Sequence, residues 1–139
     1  MLLTLSSHGK LVGDRLTDGV LVVLDAAITD LSSLTADLSA IDTLILDSSR
    51  DGVEQITEAL QKRPSISSLH LVSHGTPGCL QLGNAKLSTA TIHHYREQLS
   101  AWAEVLRGAD ILMYGCQAAE GVLGSLFLQQ VHQLTGANI

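Results

Sequence analysis

Two stretches, residues 68–75 (SLHLVSHG) and 110–116 (DILMYGC), decide the fold. Each is an apolar run that ends beside a glycine and a reactive side chain, His74 in the first and Cys116 in the second. Both stretches are typical of strands, and the continuous apolar run at residues 19–24 is typical of a strand that is buried on both faces of a parallel sheet. We therefore expect two strands of one sheet that deliver a histidine and a cysteine to its carboxyl edge.

The rest of the chain alternates strand patterns with helical patterns. Apolar runs at residues 19–24 and 43–46 end at Asp25 and Asp47, and helical periodicity follows each strand. The alternation predicts an α/β fold, a three-layer α-β-α sandwich with a mostly parallel sheet and a small hairpin after the third strand. We predict strands at 19–24, 43–46, 68–73 and 110–114, a hairpin at 79–87, and helices at about 28–38, 51–62, 89–107 and 120–134.

The domain is expected to occupy residues 19–139, after a lead-in segment at residues 1–18. Residues 137–139 resemble the start of a further strand, so we expect a domain that is incomplete at its C-terminus. A parallel sheet that lacks a strand exposes an apolar edge, which favours self-association.

Composition narrows the classes of partner. Eight basic and fourteen acidic residues give a formal net charge of −6, which argues against binding to nucleic acid or to an anionic membrane. The sequence has no run of 18 apolar residues, so it predicts no membrane span. The first residues lack the basic region of a classical signal peptide. The two cysteines form no C-x-x-C pair, and we assign no metal ligands.

A cysteine and a histidine at one edge of a sheet can act together, the cysteine as a thiol nucleophile and the histidine as its activating base. An imidazole can activate a thiolate and handle the proton of the leaving group, so we predict His74 and Cys116 as catalytic residues. Glycines permit close backbone approach, and the N–H groups of Gly75 and Cys116 are the predicted oxyanion donors. The simpler alternative for Cys116 is a small buried hydrophobe, and for His74 a surface histidine at a turn.

Other reactive side chains carry weaker signals. Asp25 and Asp47 could line a pocket for a basic substrate group, or they could only cap loops and helix starts. Cys79 precedes an apolar strand and is interpreted as packing. His70 lies inside a strand and is interpreted as a histidine with its hydrogen bonds satisfied.

Residues 71–83 (LVSHGTPGCLQLG) and 109–116 (ADILMYGC) together resemble the caspase-like cysteine peptidases. That clan includes caspases, legumains, gingipains and separases. Residues 20–139 look most like an uncharacterised bacterial domain of the clan, found near the N-terminus of very large secreted or cell-surface proteins. The resemblance implies peptide hydrolysis through an acyl-enzyme, without metal or organic cofactor, with His74 and Cys116 as the dyad. It also implies a peptide or protein substrate and an extracellular or cell-surface location.

Three other functions stay open. An α/β-hydrolase is disfavoured, because the G-x-Nu-x-G elbow would need glycines where Tyr114 and Ala118 stand. A non-catalytic interaction or targeting module of a larger surface protein would keep the same fold. Autoprocessing of a longer parent chain is a further form of the peptidase function.

Overall fold

A parallel four-stranded sheet is the centre of the computed structural model, which describes residues 19–25, 42–63, 66–106, 108–114 and 117–139. Three α-helices and a small antiparallel sheet complete the described part. In chain order the elements are β1 (Val20–Asp25), β2 (Thr43–Leu46), α1 (Gly52–Gln61), β3 (Ser68–Val72), β4 (Gly75–Thr76), β5 (Cys79–Leu82), β6 (Ala85–Ser88), a 3₁₀ turn (Ile92–Tyr95), α2 (Arg96–Leu106), β7 (Asp110–Tyr114) and α3 (Gly121–Thr135).

The strand order of the parallel sheet is β2-β1-β3-β7. The chain passes from β1 to β2 on one side and then returns to β3 on the other side of β1. Because β2 and β3 lie on opposite sides of β1, a crevice forms outside the carboxyl ends of β1 and β3, where α/β proteins bind their ligands. The predicted α/β class and mainly parallel sheet are therefore confirmed, and His74 follows one of the two strands at this crevice.

One face of the sheet carries the main core. Alternate sheet residues, among them Leu21, Leu69 and Ile111, join one buried cluster with side chains from all three described helices, because successive strand residues point to opposite faces. The opposite face carries Ile45 and Leu112, which are exposed. The lead-in segment and the predicted helix at 28–38 lie outside the described residues, so helices on both faces stay a prediction.

Two predicted elements have different bounds in the structure. The helix that was predicted from residue 89 begins at Arg96, after the 3₁₀ turn. Ser88 and Thr91 close a turn before it, with the N–H of Ser88 donating to Oγ1 of Thr91 at 3.0 Å. Hydroxyl side chains that bond to nearby backbone groups compete with helix formation, which explains the later start. The predicted hairpin gains β4 and becomes a three-stranded antiparallel sheet, the small sheet below.

At the end of the chain, the backbone of Asn138 pairs in parallel with Asp110 of β7. This isolated bridge lies at the edge of the sheet, and a further strand stays a prediction. None of the helices in the described ranges is long and apolar enough to cross a membrane.

Helix α1 is capped at its N-terminus by the side chain of Asp51. Oδ1 of Asp51 accepts hydrogen bonds from the N–H groups of Val53 at 2.8 Å and Glu54 at 3.2 Å. Oδ2 of the same carboxylate accepts the hydroxyl of Tyr95 at 2.8 Å. Desolvation, followed by this hydrogen bond, raises the pKa of Tyr95 to about 12.

We expect an alkaline loss of stability that depends on Tyr95. The raised pKa means that folding favours the neutral phenol, so its contribution is complete below pH ~10 and is lost as the pH rises towards 12. Ultraviolet titration of tyrosinate in the folded protein should show a late step, which Tyr95→Phe removes. A Tyr95→Phe protein that keeps the late step would contradict the assignment.

Candidate functional site

The candidate site lies at the carboxyl edge of the parallel sheet. The register pairs Val72 of β3 with Tyr114 of β7, and His74 and Cys116 each follow the paired residue by two positions. Gly115 and Cys116 lie outside the described residues. The described part therefore places His74, and it places the chain on both sides of Cys116.

His74 is held between the two sheets. Its side chain is exposed, whereas the preceding Ser73 is fully buried. The carbonyl oxygen of His74 accepts the N–H of Gln81 at 2.9 Å, so the small sheet continues directly from β3. The imidazole thus projects from a backbone that is fixed on both sides.

The N–H of Gly75 points away from the small sheet. Hydrogen-bonded and non-hydrogen-bonded pairs alternate along an antiparallel ladder. Because His74 is hydrogen-bonded to Gln81, the next pair, Gly75 with Leu80, is a non-hydrogen-bonded one. This direction leaves the N–H of Gly75 available for the predicted donor role, which stays a prediction.

A cleft of about 270 Å³ opens beside His74. Its described lining residues are His74, Gly75, Thr76, Cys79, Gln81 and Lys86. The side chain of Gln81 is anchored, since Nε2 donates to the carbonyl oxygens of Gly83 at 3.0 Å and Ala85 at 3.1 Å. Lys86 lies opposite Gln81 in the register and is exposed, which gives the cleft a cationic group.

The placement of Cys79 differs from the sequence interpretation. It was interpreted as packing, but it is only half-buried and lines the cleft together with His74. The buried residues of β5 are Leu80 and Leu82, because side chains alternate along a strand. The alternation in residues 79–82 (CLQL) was the signal that could have placed Cys79 and Gln81 on the cleft side.

Backbone hydrogen bonds from both of its turns hold the small sheet against the rest of the domain. Its first turn donates the N–H of Gly78 to the carbonyl oxygen of Ala118 at 2.9 Å, just after Cys116 in the chain. Its second turn bridges to the start of α1, where the N–H of Asn84 donates to the carbonyl oxygen of Arg50 at 2.9 Å. The sheet that fixes His74 therefore also contacts the segment that follows Cys116.

The segment at residues 117–120 turns tightly into α3. The N–H of Glu120 donates to the carbonyl oxygen of Gln117, and the N–H of Gly124 donates to the carbonyl oxygen of Glu120, both at 3.0 Å. A Cβ atom on Gly124 would lie 2.1 Å from the carbonyl carbon of Ala119. Only glycine permits this approach of helix and turn.

His70 and Tyr114 join β3 to β7 below the site. Nδ1 of His70 and the hydroxyl of Tyr114 share a hydrogen bond of 2.7 Å, and the two rings stack with centroids 5.5 Å apart. Nε2 of His70 shares a second hydrogen bond with Oγ of Ser68 at 3.0 Å. Burial lowers the pKa of His70, and the interpretation as a satisfied histidine is confirmed.

The two acids that were predicted as pocket residues differ in environment. Asp25 is 1% exposed at the end of β1. Asp47 is exposed, and Oδ1 accepts both the hydroxyl of Ser49 at 2.7 Å and its N–H at 2.9 Å. These bonds lower the pKa of Asp47. Neither acid is among the described residues that line the cleft, so their pocket role stays a prediction.

Fold and site together define an α/β domain with a histidine-lined cleft at the carboxyl edge of a parallel sheet. A family model described as Domain of unknown function (DUF4347) matches residues 21–139, and the chain belongs to this family. No curated protein and no solved structure gives a significant match.

Proposed function

We propose that this domain is a caspase-like cysteine endopeptidase in which Cys116 is the nucleophile and His74 the general base and acid. His74 takes the thiol proton, and the thiolate attacks the carbonyl carbon of a peptide bond. The C–N bond then breaks, and the proton passes from His74 to the leaving amine. A water molecule then gives one proton to His74 and attacks the carbonyl carbon of the thioester. The C–S bond breaks and releases the carboxylic acid product, and His74 returns the proton to the thiolate of Cys116.

The observation that carries the proposal is the register of β3 and β7. It pairs the residues two positions before His74 and two positions before Cys116. The small sheet adds support, because it fixes the backbone of His74 and also contacts Ala118 after Cys116. The N–H groups of Gly75 and Cys116 are proposed as the oxyanion donors, which requires no metal or organic cofactor.

The substrate is proposed to be a peptide segment, one residue of which occupies the cleft beside Thr76, Gln81 and Lys86. The resemblance to bacterial domains in large secreted or cell-surface proteins suggests that the segment belongs to the parent chain or to a neighbouring protein. Cleavage within the parent chain would make the domain an autoprocessing peptidase.

A second candidate function is a non-catalytic interaction module. It is favoured by three exposed apolar side chains on the first two turns of α3: Val122, Leu123 and Leu126 are 85%, 52% and 43% exposed. Clustered apolar groups at a surface often mark contacts between proteins. Self-association through the edge of the main sheet would be one form of this function.

The rate of alkylation at Cys116 distinguishes the two candidates. A histidine partner can lower a thiol pKa from about 8.5 to about 6, and allowing for weaker intrinsic nucleophilicity this gives about tenfold faster labelling at pH ~6. Peptide mass spectrometry should show Cys116 labelled about tenfold faster in the folded than in the unfolded protein, with His74→Ala removing the difference.

The controls follow from the position of Cys79. Because Cys79 shares the cleft with His74, the reference for each thiol is its own rate in the unfolded chain. His94→Ala, which removes an exposed histidine outside the cleft, should leave the rate at Cys116 unchanged. Equal rates at Cys116 in the folded, unfolded and His74→Ala proteins would rule out the peptidase and favour the interaction module.

A further inference from the structure

We propose that a second cavity of this protein, separate from the His74 cleft, binds an amino-acid-sized carboxylate that also carries an N–H group. This cavity, which we call the helix cavity, measures about 260 Å³ and lies between the start of α2 and the second half of α3. The residues that define its chemistry are Ile92, His93, Arg96, Gln130 and Leu134. None of them lines the His74 cleft, so the inference is independent of the proposed peptidase function.

Gln130 supplies an unused acceptor. Its Oε1 atom is buried and receives no hydrogen bond from the described residues. A buried acceptor without a donor is costly, and native proteins leave few of them. Gln130 lines the helix cavity, and rotation of its side-chain amide towards the cavity would let a ligand N–H group donate to this atom.

Arg96 supplies an unused cation. The other two arginines of the described ranges form ion pairs, Arg50 with Glu58 at 3.0 Å and Arg63 with Asp42 at 2.6 Å. Arg96 forms none with a described residue, although the protein carries an excess of acidic groups. A guanidinium group matches a carboxylate with two parallel hydrogen bonds, and the neighbouring imidazole of His93 offers a further donor.

The size of the cavity limits the ligand. Sites for drug-sized molecules span roughly 300–1,000 Å³, so about 260 Å³ suits a group of a single residue. A cation, an acceptor and the apolar side chains of Ile92 and Leu134 match an α-carboxylate, an N–H and a small side chain. Both a free amino acid and the C-terminal residue of a peptide have this chemistry.

Titration of the full ¹⁵N-labelled chain tests the proposal with three probes: L-alanine, N-acetyl-L-alanine and N-acetyl-L-alanine amide. We expect one or both carboxylates to shift the amide signals of residues around the helix cavity, with a dissociation constant of about 1 mM or below. The uncharged amide should bind at least about tenfold more weakly, because it lacks the carboxylate. Binding of alanine indicates a free amino acid, and binding of acetylalanine indicates a peptide C-terminus.

Two variants test the assigned atoms. Arg96→Gln and Gln130→Met should each weaken binding about tenfold or more, whereas the exposed neighbours Gln129→Met and Glu97→Gln should bind as the unmodified chain does. Circular dichroism verifies that each variant folds. If a variant does not fold, the test rests on whether the carboxylates shift the amide signals around the helix cavity in the unmodified chain. Absence of shifts at the cavity with both carboxylates, or binding that is indifferent to folded Arg96→Gln and Gln130→Met, overturns the proposal.

Discussion

Gly124→Ala is expected to lower the free energy of unfolding by about 2 kcal/mol. The new Cβ would lie 2.1 Å from the carbonyl carbon and 2.4 Å from the carbonyl oxygen of Ala119, and 2.9 Å from the carbonyl oxygen of Ala118. These are backbone atoms of a tight turn, so the helix or the turn must move, at a cost of about 3 kcal/mol. The better helix propensity of alanine offsets about 1 kcal/mol of that cost.

Urea unfolding followed by circular dichroism measures the effect of Gly124→Ala. The matched control is Ser125→Ala, an exposed position on the same helix, which should change stability by less than about 0.5 kcal/mol. Because the turn at residues 117–120 follows Cys116 directly, Gly124→Ala should also alter alkylation of Cys116 in the folded protein. A Gly124→Ala protein as stable as the unmodified chain would show that helix and turn are not in this close contact.

Trp102→Ala is expected to lower the free energy of unfolding by about 4 kcal/mol, because Trp102 is the largest fully buried side chain of the described residues. Trp102 lies on α2, is 1% exposed and belongs to the buried core cluster, and it contacts α1 through Thr57. Its Nε1 donates to Oγ1 of Thr57 at 2.7 Å, and that hydroxyl donates to the carbonyl oxygen of Val53 at 2.7 Å. The substitution therefore removes a large buried ring and one partly buried hydrogen bond.

The unfolding free energy of Trp102→Ala is best followed by circular dichroism, since Trp102 is the only tryptophan of the chain. Trp102→Phe keeps much of the ring and loses the N–H, so its cost should be intermediate, at about 2 kcal/mol. Thr57→Val in both backgrounds isolates the hydrogen bond by a double-mutant cycle. A Trp102→Ala protein within about 1 kcal/mol of the unmodified chain would contradict the core position.

The sequence predicted the features that depend on local pattern. Apolar runs placed the four parallel strands, and helical periodicity placed α1 at about residues 51–62, because both signals lie within a few residues. His74 could likewise be assigned to the end of a strand. The position of Cys116 relative to that histidine stays a prediction.

The sequence did not predict the features that depend on tertiary contact. The later start of α2 follows from the turn at Ser88 and Thr91, whose hydroxyl bonds compete with a helical pattern that looks continuous. Arg96 and Gln130 lie on two different helices and line the same helix cavity. No pattern in the sequence predicts that they are close together. The contact of Gly124 with Ala119 was not predicted, because a glycine inside a helical pattern indicates only low helix propensity and not a close backbone contact.

The small sheet has a consequence for the order in which the chain assembles. Its three strands are adjacent in sequence, and hairpins of this kind form within about 1–10 μs. Parallel pairing of β1 with β3 must wait for a much longer loop to close. An early small sheet, which docks through Asn84 to Arg50 and through Gly78 to Ala118, would then bring distant segments together before the main sheet is complete.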